Sequence, residues 1–294
     1  MKNAVTFDVE DYFHVAAFAD QVDKSQWESF PSRVAANTNT ILEMLAKRGS
    51  LGTFFVLGWV AQKLPALVRS IADAGHEVAC HSLDHRKVFE MAPAEFREDT
   101  RQAKQAIEDA CGRPVRGYRA PSFSITSASL WALEVLVELG FEYDSSIFPV
   151  EHLSYGIPHA PRFPFLIRTA SGSLVEFPLT TVQFGQLRSP LSGGAYIRLL
   201  PYWYIRWGFR YLNHHENQAF CFYLHPWELD PEQPRIKASL TARLRHYLGL
   251  RGAQSKLSRL LRDFDFQQMG AIVKECKSSL AEAPIQSLAQ LGRA

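Results

Sequence analysis

The 294-residue chain has few of the features that mark specialised classes of protein. It contains only four cysteines, and none of them forms a CxxC pair. They lie in apolar or helical surroundings, and this context predicts free, buried thiols at Cys80, Cys111, Cys221 and Cys276.

Long apolar runs are also missing. No segment approaches the roughly 18 apolar residues of a membrane span. A strand-like segment begins after three residues, which leaves no room for a signal peptide, so we expect a cytoplasmic protein. The aromatic segment "LLPYWYIRWGFRYL" (199–212) raises the question of an interfacial helix, but its length and two internal arginines favour a packed helix.

An excess of charge of either sign is absent as well. Lys and Arg number 32 against 30 Asp and Glu, and the formal net charge is +2 without a polybasic block. Neither nucleic acid nor an anionic membrane surface is therefore predicted as a partner. The apolar fraction of 47% supplies a substantial core, as in a globular protein.

Short, continuous apolar runs alternate with helical patterns over the first half of the chain. Runs of this kind indicate strands buried on both faces, and the alternation predicts an α/β fold with a parallel sheet. From about residue 150 the pattern changes to a hairpin around Ser171 and Gly172, an aromatic helix and a late buried strand, "AFCFYL". Without a repeat or linker, residues 1–294 are predicted to form one domain, in which the late strand joins the early sheet.

Ionisable residues follow each predicted strand, and in βα folds catalytic groups gather at these strand ends. In chain order the residues are Asp8, Glu10 and Asp11, then His81 and His85, then Arg119, Asp144 and His225.

The spacing of His81 and His85 places both imidazoles on one face of a helical turn, within reach of one divalent metal ion. An isolated HxxxH is a weak signal, but two histidines and a carboxylate form a common catalytic metal set. Asp8 and Glu10 are two apart, so on a strand they point to the same side. One could bind the metal while the other acts as a general base.

Three further residues could complete a hydrolytic site. Arg119 would keep the base ionised, and His225 could protonate a leaving amine, with Asp144 orienting it and raising its pKa. Each also has an ordinary structural interpretation: a surface ion pair for Arg119, a satisfied core histidine for His225 and a turn residue for Asp144.

Five blocks in order, "TFDVED", "HSLDH", "RAPS", "YDSS" and "YLHPWE", resemble the motifs of the NodB-type polysaccharide deacetylases, a metal-dependent carbohydrate esterase family. The opening "DVEDYF" is similar to the branch found with exopolysaccharide loci, whose members carry an added C-terminal region, here about 150–290. The resemblance implies a distorted (β/α) barrel of seven or eight parallel strands, with an additional C-terminal hairpin and helices and a returning strand that bears His225. It also implies one divalent metal ion, with zinc as the first candidate.

Position by position, the resemblance gives Asp8 as base, His81 and His85 as metal ligands, Arg119 as the residue that tunes the base and His225 as general acid. The common family motif has two adjacent aspartates, but Val9 stands at the second place here. Glu10 is therefore expected to bind the metal, with Asp11 as the less suitable substitute.

The resemblance implies hydrolysis of N-acetyl groups on an amino-sugar polymer or oligosaccharide in exopolysaccharide or cell-envelope glycan synthesis. Ser122 replaces a common tyrosine, but its backbone N–H could still stabilise an oxyanion. Residues expected to contact the glycan are Tyr12, Pro121, Ser122, Phe123, Phe148 and Trp227. Two other functions stay open: an amidohydrolase acting on a small ureide or cyclic amide, and a non-catalytic carbohydrate-binding protein. A homo-oligomer and association with a polysaccharide synthesis complex stay open as assembly states.

Overall fold

The structure is a computed structural model that describes residues 1–152, 155–185, 187–285, 287 and 288. The strands are β1 (Lys2–Val9), β2 (Thr53–Val56), β3 (Glu77–Cys80), β4 (Gly117–Tyr118), β5 (Tyr143–Asp144), β6 (Phe165–Thr169), β7 (Gly172–Glu176), β8 (Thr181–Phe184), β9 (Leu187–Pro190), β10 (Cys221–Leu224), β11 (Asp265–Gln267) and β12 (Glu282–Pro284). The helices are α1 (Val34–Ala46), α2 (Gly58–Lys63), α3 (Pro65–Asp73), α4 (Pro93–Cys111), α5 (Trp131–Glu138), α6 (Gly194–Leu199), α7 (Tyr202–His214), α8 (Leu240–Tyr247), α9 (Leu250–Asp263) and α10 (Met269–Cys276).

A mostly parallel sheet forms the centre of the molecule. Its strand order is β10-β1-β2-β3-β4-β5-β7-β6-β12, with β11 beside the start of β1, and β8 and β9 form a separate hairpin. The seven strands from β10 to β7 pair in parallel, whereas β6 pairs antiparallel with β7. In β1 every residue after Lys2 is buried, which explains why the residues from Ala4 to Phe7 do not alternate between apolar and charged. The predicted α/β fold is confirmed.

The late strand β10 lies directly beside β1. Phe7 of β1 is in register with Leu224 of β10 on one side and with Phe54 of β2 on the other. The segment after β7 contacts β10, which lies at the other end of the sheet. The Thr180 hydroxyl accepts a hydrogen bond of 2.8 Å from the N–H of Cys221 in β10. A side chain therefore links the far part of the sheet to β10.

The predicted aromatic helix and the C-terminal helical region are each interrupted. The aromatic helix consists of α6 and α7, which are separated at Leu200 and Pro201, since proline lacks an N–H and forces the preceding residue out of the helical region. The last helical stretch is divided by β11 into α9 and α10. In the described ranges no helix has the length and apolar character needed to cross a membrane. All four cysteines are free thiols, as predicted, and Cys276 is only half-buried.

Candidate active site

Asp8 forms a buried ion pair at the end of β1. The Arg119 guanidinium, which is wholly buried, donates to Asp8 Oδ1 at 2.7 Å and to the Thr6 hydroxyl at 2.8 Å. It also donates to the carbonyl and hydroxyl of Ser145, and it lies 4.0 Å from the centre of the Phe55 ring. A buried arginine needs partners for its donors, and this set of partners fixes the Asp8 carboxylate in one orientation.

Glu10, His81 and His85 converge beside Asp8. One ligand atom from each lies within 4.8 Å of the other two. Glu10 Oε2 lies 3.0 Å from His85 Nε2, yet among the described residues this buried oxygen has no hydrogen-bond partner. A carboxylate oxygen and an imidazole nitrogen that lie this close without a hydrogen bond can both be ligands of one cation. The fit to a divalent metal ion is therefore good.

The protonation of the cluster also suits a metal. His81 Nδ1 lies 2.8 Å from the carbonyl oxygen of Arg119, which fixes the tautomer and leaves Nε2 available as a ligand. Burial lowers the pKa of His81 to about 4, so its imidazole is neutral at pH 7. Burial alone would raise the pKa of Glu10, but the charges of His85 and His225 lower it well below its usual range.

Asp11 has a structural role at the start of α1. Its Oδ2 accepts hydrogen bonds from the Ser32 hydroxyl at 2.7 Å and from the N–H groups of Arg33 and Val34 at 2.8 and 3.1 Å. Its Oδ1 accepts one from the N–H of Tyr12. With both oxygens so engaged, Asp11 caps a helix, and Glu10 is the carboxylate that joins the histidines.

The two histidines lie on a loop, and the predicted helical turn is wrong. Ser82 and His85 have left-handed backbone, with φ of 65° and 62°, and helical spacing cannot reveal such a path. The loop is held by α2 and α4: the N–H groups of Gly58 and Trp59 donate to it, and the carboxylate of Asp99 accepts from Leu83.

The loop after β4 has the same unusual backbone. Ser122 and Phe123 both have φ of 53°. Of the five non-glycine residues with positive φ in the described ranges, four belong to this loop and the histidine loop. Left-handed backbone costs free energy and often occurs at functional sites.

His225 follows β10 and faces the carboxylates. Its Nε2 lies 3.5 Å from Glu10 Oε1 and 3.9 Å from Asp8 Oδ2, and its side chain is one-fifth exposed. Its Nδ1 lies 3.1 Å from Glu228 Oε2. Burial alone would lower the pKa of His225, but Glu10, Glu228 and Asp8 raise it to about 9. The imidazole can therefore hold a proton at neutral pH.

Glu228 is itself held by a buried arginine. Its Oε1 accepts from Arg198 Nε at 2.8 Å, and the other Arg198 donors bind backbone carbonyls at the end of α8. Gly194, at the start of α6, packs so closely that a Cβ there would overlap the Glu228 carboxylate. Sequence reasoning missed Glu228 and Arg198. The HPWE motif was a usable signal for Glu228, since a proline-initiated turn brings residues i and i+3 together, but Arg198 had none.

Replacing Glu228 by glutamine is expected to lower kcat of a reaction in which His225 transfers a proton by about 10- to 100-fold, with KM within twofold. The reason is that the His225 imidazole loses the charge that orients its proton. Steady-state kinetics measure both constants. Glu232→Gln, at an exposed position four residues away, is the control and should match the wild type. An unchanged kcat for Glu228→Gln would show that the pair does not position His225.

Asp144, predicted to orient His225, has other partners. Its carboxylate accepts from the hydroxyl and N–H of Ser146, and it is in register with Glu176 on the neighbouring strand β7. Burial raises the pKa of Asp144 to about 6, and burial together with the Asp144 charge raises that of Glu176 well above its usual range. The contact to His225 belongs instead to Glu228, because the β5–β7 pairing directs Asp144 to Glu176.

Replacing Glu176 by glutamine is expected to flatten the pH dependence of the free energy of unfolding. A buried carboxyl with a raised pKa keeps its proton longer in the folded state, so stability is full below the usual pKa of 4.5 and falls as pH rises towards the folded-state pKa. Glutamine has no such proton. The stability of Glu176→Gln relative to wild type should therefore grow by up to about 1.4 kcal/mol per pH unit above pH 4.5.

Urea denaturation at pH 5, 6, 7 and 8 measures this difference. Glu142→Gln, at an exposed carboxyl near the same strands, is the control and should follow the wild type. A stability difference for Glu176→Gln that does not vary with pH would contradict the raised pKa.

The predicted glycan-contacting residues differ in exposure. Tyr12 and Phe148 are wholly buried and Pro121 is buried, so the two aromatic rings belong to the core and do not offer a free face to a sugar. Trp227 is stacked between His225 and His246, at ring distances of 5.2 and 4.1 Å. Its Nε1 lies 3.4 Å from Glu10 Oε1, so it contacts a residue of the candidate metal cluster. Ser122 is half-buried, and Phe123 is 7% exposed.

Comparison with known proteins assigns the two halves of the chain separately. Residues 19–143 match the polysaccharide deacetylase family, and residues 145–274 match a domain of unknown function, DUF3473. A chitooligosaccharide deacetylase of Bradyrhizobium sp. is 33% identical over 100 residues, which cover 34% of this chain and 43% of that protein. A peptidoglycan-N-acetylglucosamine deacetylase of Bacillus cereus is 30% identical over 98 residues, 33% of this chain and 36% of that protein. The chain thus spans less than half of the length of these relatives.

A solved structure agrees with the fold. A Mycobacterium smegmatis protein described as a polysaccharide deacetylase has a TM-score of 0.64 at 23% identity, covering 95% of this chain and 91% of its own. The likeness shows that the two chains share an α/β fold. At the level of regions, residues 19–143 are identified as a polysaccharide deacetylase domain and residues 145–274 as a DUF3473 domain, and the resemblance seen in the sequence is confirmed.

Proposed function

We propose that the protein removes N-acetyl groups from an N-acetylated amino-sugar polymer or oligosaccharide by metal-dependent hydrolysis. The observation that carries this proposal is the convergence of Asp8, the Glu10–His81–His85 cluster and His225. The deacetylase relatives support this reaction class.

Glu10, His81 and His85 would hold the metal ion. Two neutral imidazoles and a carboxylate suit zinc, and we propose zinc as the ion. When bound, a divalent cation supplies Lewis acidity, which polarises the acetamide carbonyl and makes water more acidic.

The residues of the chain supply the proton transfers. Asp8, held by Arg119, accepts the proton of the water that attacks the acetamide carbon. The N–H of Ser122 donates a hydrogen bond to the oxygen on which negative charge develops. His225, oriented by Glu228, donates its proton to the amine nitrogen as the C–N bond breaks. Acetate and a free amino sugar are the products.

Both matched regions contribute to this site. Asp8 and Glu10 precede the deacetylase match, His81, His85 and Arg119 lie within it, and His225 lies in the DUF3473 region. We infer that residues 1–294 act as one catalytic unit, with the C-terminal region supplying the general acid. The similar opening "DVEDYF" leads us to propose exopolysaccharide or cell-envelope glycan synthesis as its setting.

Release of acetate from chitotetraose tests the proposal. The protein is stripped with a chelator and reloaded with Zn²⁺. We expect acetate release that the chelator abolishes and zinc restores. Turnover of a cyclic ureide without acetate release would favour a small-amide hydrolase, and chitotetraose binding without turnover would favour a binding protein; either result would overturn the proposed reaction.

A further inference from the structure

The outward face of α7 has an unusual composition for a helix at a protein surface. Trp203 is 70% exposed and Trp207 is 42% exposed, and Arg210 follows them on the same face. The helix contains no Asp or Glu. Solvent-facing helix surfaces are normally polar, so two exposed tryptophans with arginine need a separate explanation.

Neighbouring elements extend this face into a continuous surface. The Phe184 ring of the β8–β9 hairpin stacks on Trp207 with centroids 5.5 Å apart. Phe184 and Leu187 are 44% and 69% exposed. Leu187 is in register with Phe184 in that hairpin. We define the aromatic patch as Phe184, Leu187, Trp203 and Trp207.

Cationic side chains border the patch. Among the described residues no carboxylate oxygen lies within 4.0 Å of Arg210 or Arg259, although Arg206 pairs with Asp263. Together α7 and α9 carry six Lys or Arg residues against one Asp, in a chain whose net charge is only +2. Arg210 and Arg259 line the same depression as Trp203 and Trp207, so positive charge lies beside the exposed rings.

We propose that the aromatic patch binds the surface of an anionic lipid bilayer. Tryptophan favours the membrane–water interface, because its ring is apolar and its N–H is polar, while leucine and phenylalanine insert among the acyl chains. Arg210 and Arg259 would bind lipid phosphates. The protein would then dock peripherally through one helix face.

Two other occupants fit the surface less well. A symmetric second copy would bring Arg210 and Arg259 against the same cationic face of its partner, which like-charge repulsion opposes. A neutral glycan would need acceptors for its hydroxyl groups, but the exposed face of α7 offers no carboxylate. The sequence predicts a packed helix and no anionic membrane partner. It does not reveal that the rest of the protein covers only one face of α7.

Sedimentation with lipid vesicles tests the proposal. The full chain is mixed with vesicles of 30% phosphatidylglycerol in phosphatidylcholine, or of phosphatidylcholine alone, and tryptophan emission is recorded. We expect binding with a blue shift only on the anionic vesicles, and weakening by 0.5 M salt. Arg210→Glu with Arg259→Glu should weaken binding at least about 25-fold, since each arginine lost is worth about fivefold.

Two further variants make the test specific. Trp203→Ser should bind more weakly and lose part of the blue shift. Arg48→Glu with Arg113→Glu changes the net charge equally at exposed positions outside the patch, and it should bind as the wild type does. All variants should keep the wild-type midpoint of urea denaturation, which checks that they are folded.

The outcomes either support or overturn the proposal. Failure to bind anionic vesicles, equal binding to both vesicle types, or wild-type binding by the Arg210→Glu, Arg259→Glu variant would overturn it. A dimer without vesicle binding would also overturn it and would assign the patch to a second copy. Quenching of Trp203 by chitotetraose without vesicle binding would overturn it too and would assign the patch to a glycan.

Discussion

Replacing Asp8 by asparagine is expected to lower kcat for acetate release by about 10²- to 10⁴-fold, the range typical of a lost general base. Asparagine has nearly the same shape, and its carbonyl oxygen can still accept the hydrogen bond from Arg119. The variant should therefore fold and bind metal normally. Its amide, however, cannot take a proton from water. Acetate release from chitotetraose measures the loss.

The matched control for Asp8→Asn is Asp144→Asn. Both residues are buried aspartates at strand ends, but only Asp8 lies near His225 and the metal cluster. Asp144→Asn should keep kcat within about threefold of wild type. Equal losses in the two variants would show that the measured effect reports on packing of the sheet and not on proton transfer.

Replacing Glu10 by glutamine is expected to weaken metal affinity by at least about 100-fold, because changes even to partners of metal ligands cost 10- to 100-fold. Co²⁺ titration provides the readout, since the visible absorption of the ion reports on its ligands. Glu10 Oε1 also lies 3.5 Å from His225 Nε2, so the amide removes a negative charge beside that imidazole.

Asp11→Asn is the control for Glu10→Gln. Asp11 caps α1, so its variant should bind Co²⁺ with affinity within about threefold of wild type and lose about 1–2 kcal/mol of unfolding free energy. The reverse pattern, with Co²⁺ binding lost in Asp11→Asn and kept in Glu10→Gln, would assign the metal ligand to Asp11.

The placement of the strands could be predicted because burial on both faces leaves a clear mark in the sequence. The residues before Asp8, Ala4 to Phe7, are apolar or favour strands, and the carboxylates appear only where the strand ends. Parallel strands place such ends at the same edge, so Asp8, Arg119 and His225 could be grouped without a structure. Their individual roles stay predictions until the variants are measured.

The partners of these residues could not be predicted, because they depend on backbone path and strand register. Two carboxylates were equally suited to orient His225 by their chemistry. Asp144 is directed to Glu176 by the β5–β7 register, whereas Glu228 lies only three residues after His225 and reaches it through a turn. The left-handed conformation of His85 is likewise set by tertiary contacts and not by the spacing of the two histidines.

The pairing of β1 with β10 has a consequence for synthesis on the ribosome. Asp8 and His225 are more than 200 residues apart, and at typical elongation rates roughly 10 to 45 s separate their synthesis. Before this interval ends, the nascent chain contains Glu10, His81, His85 and Arg119, and β1 can pair with β2 but not yet with β10. In the proposed reaction the general acid is synthesised only with β10, so the residues proposed to hold the metal are present well before the site is complete.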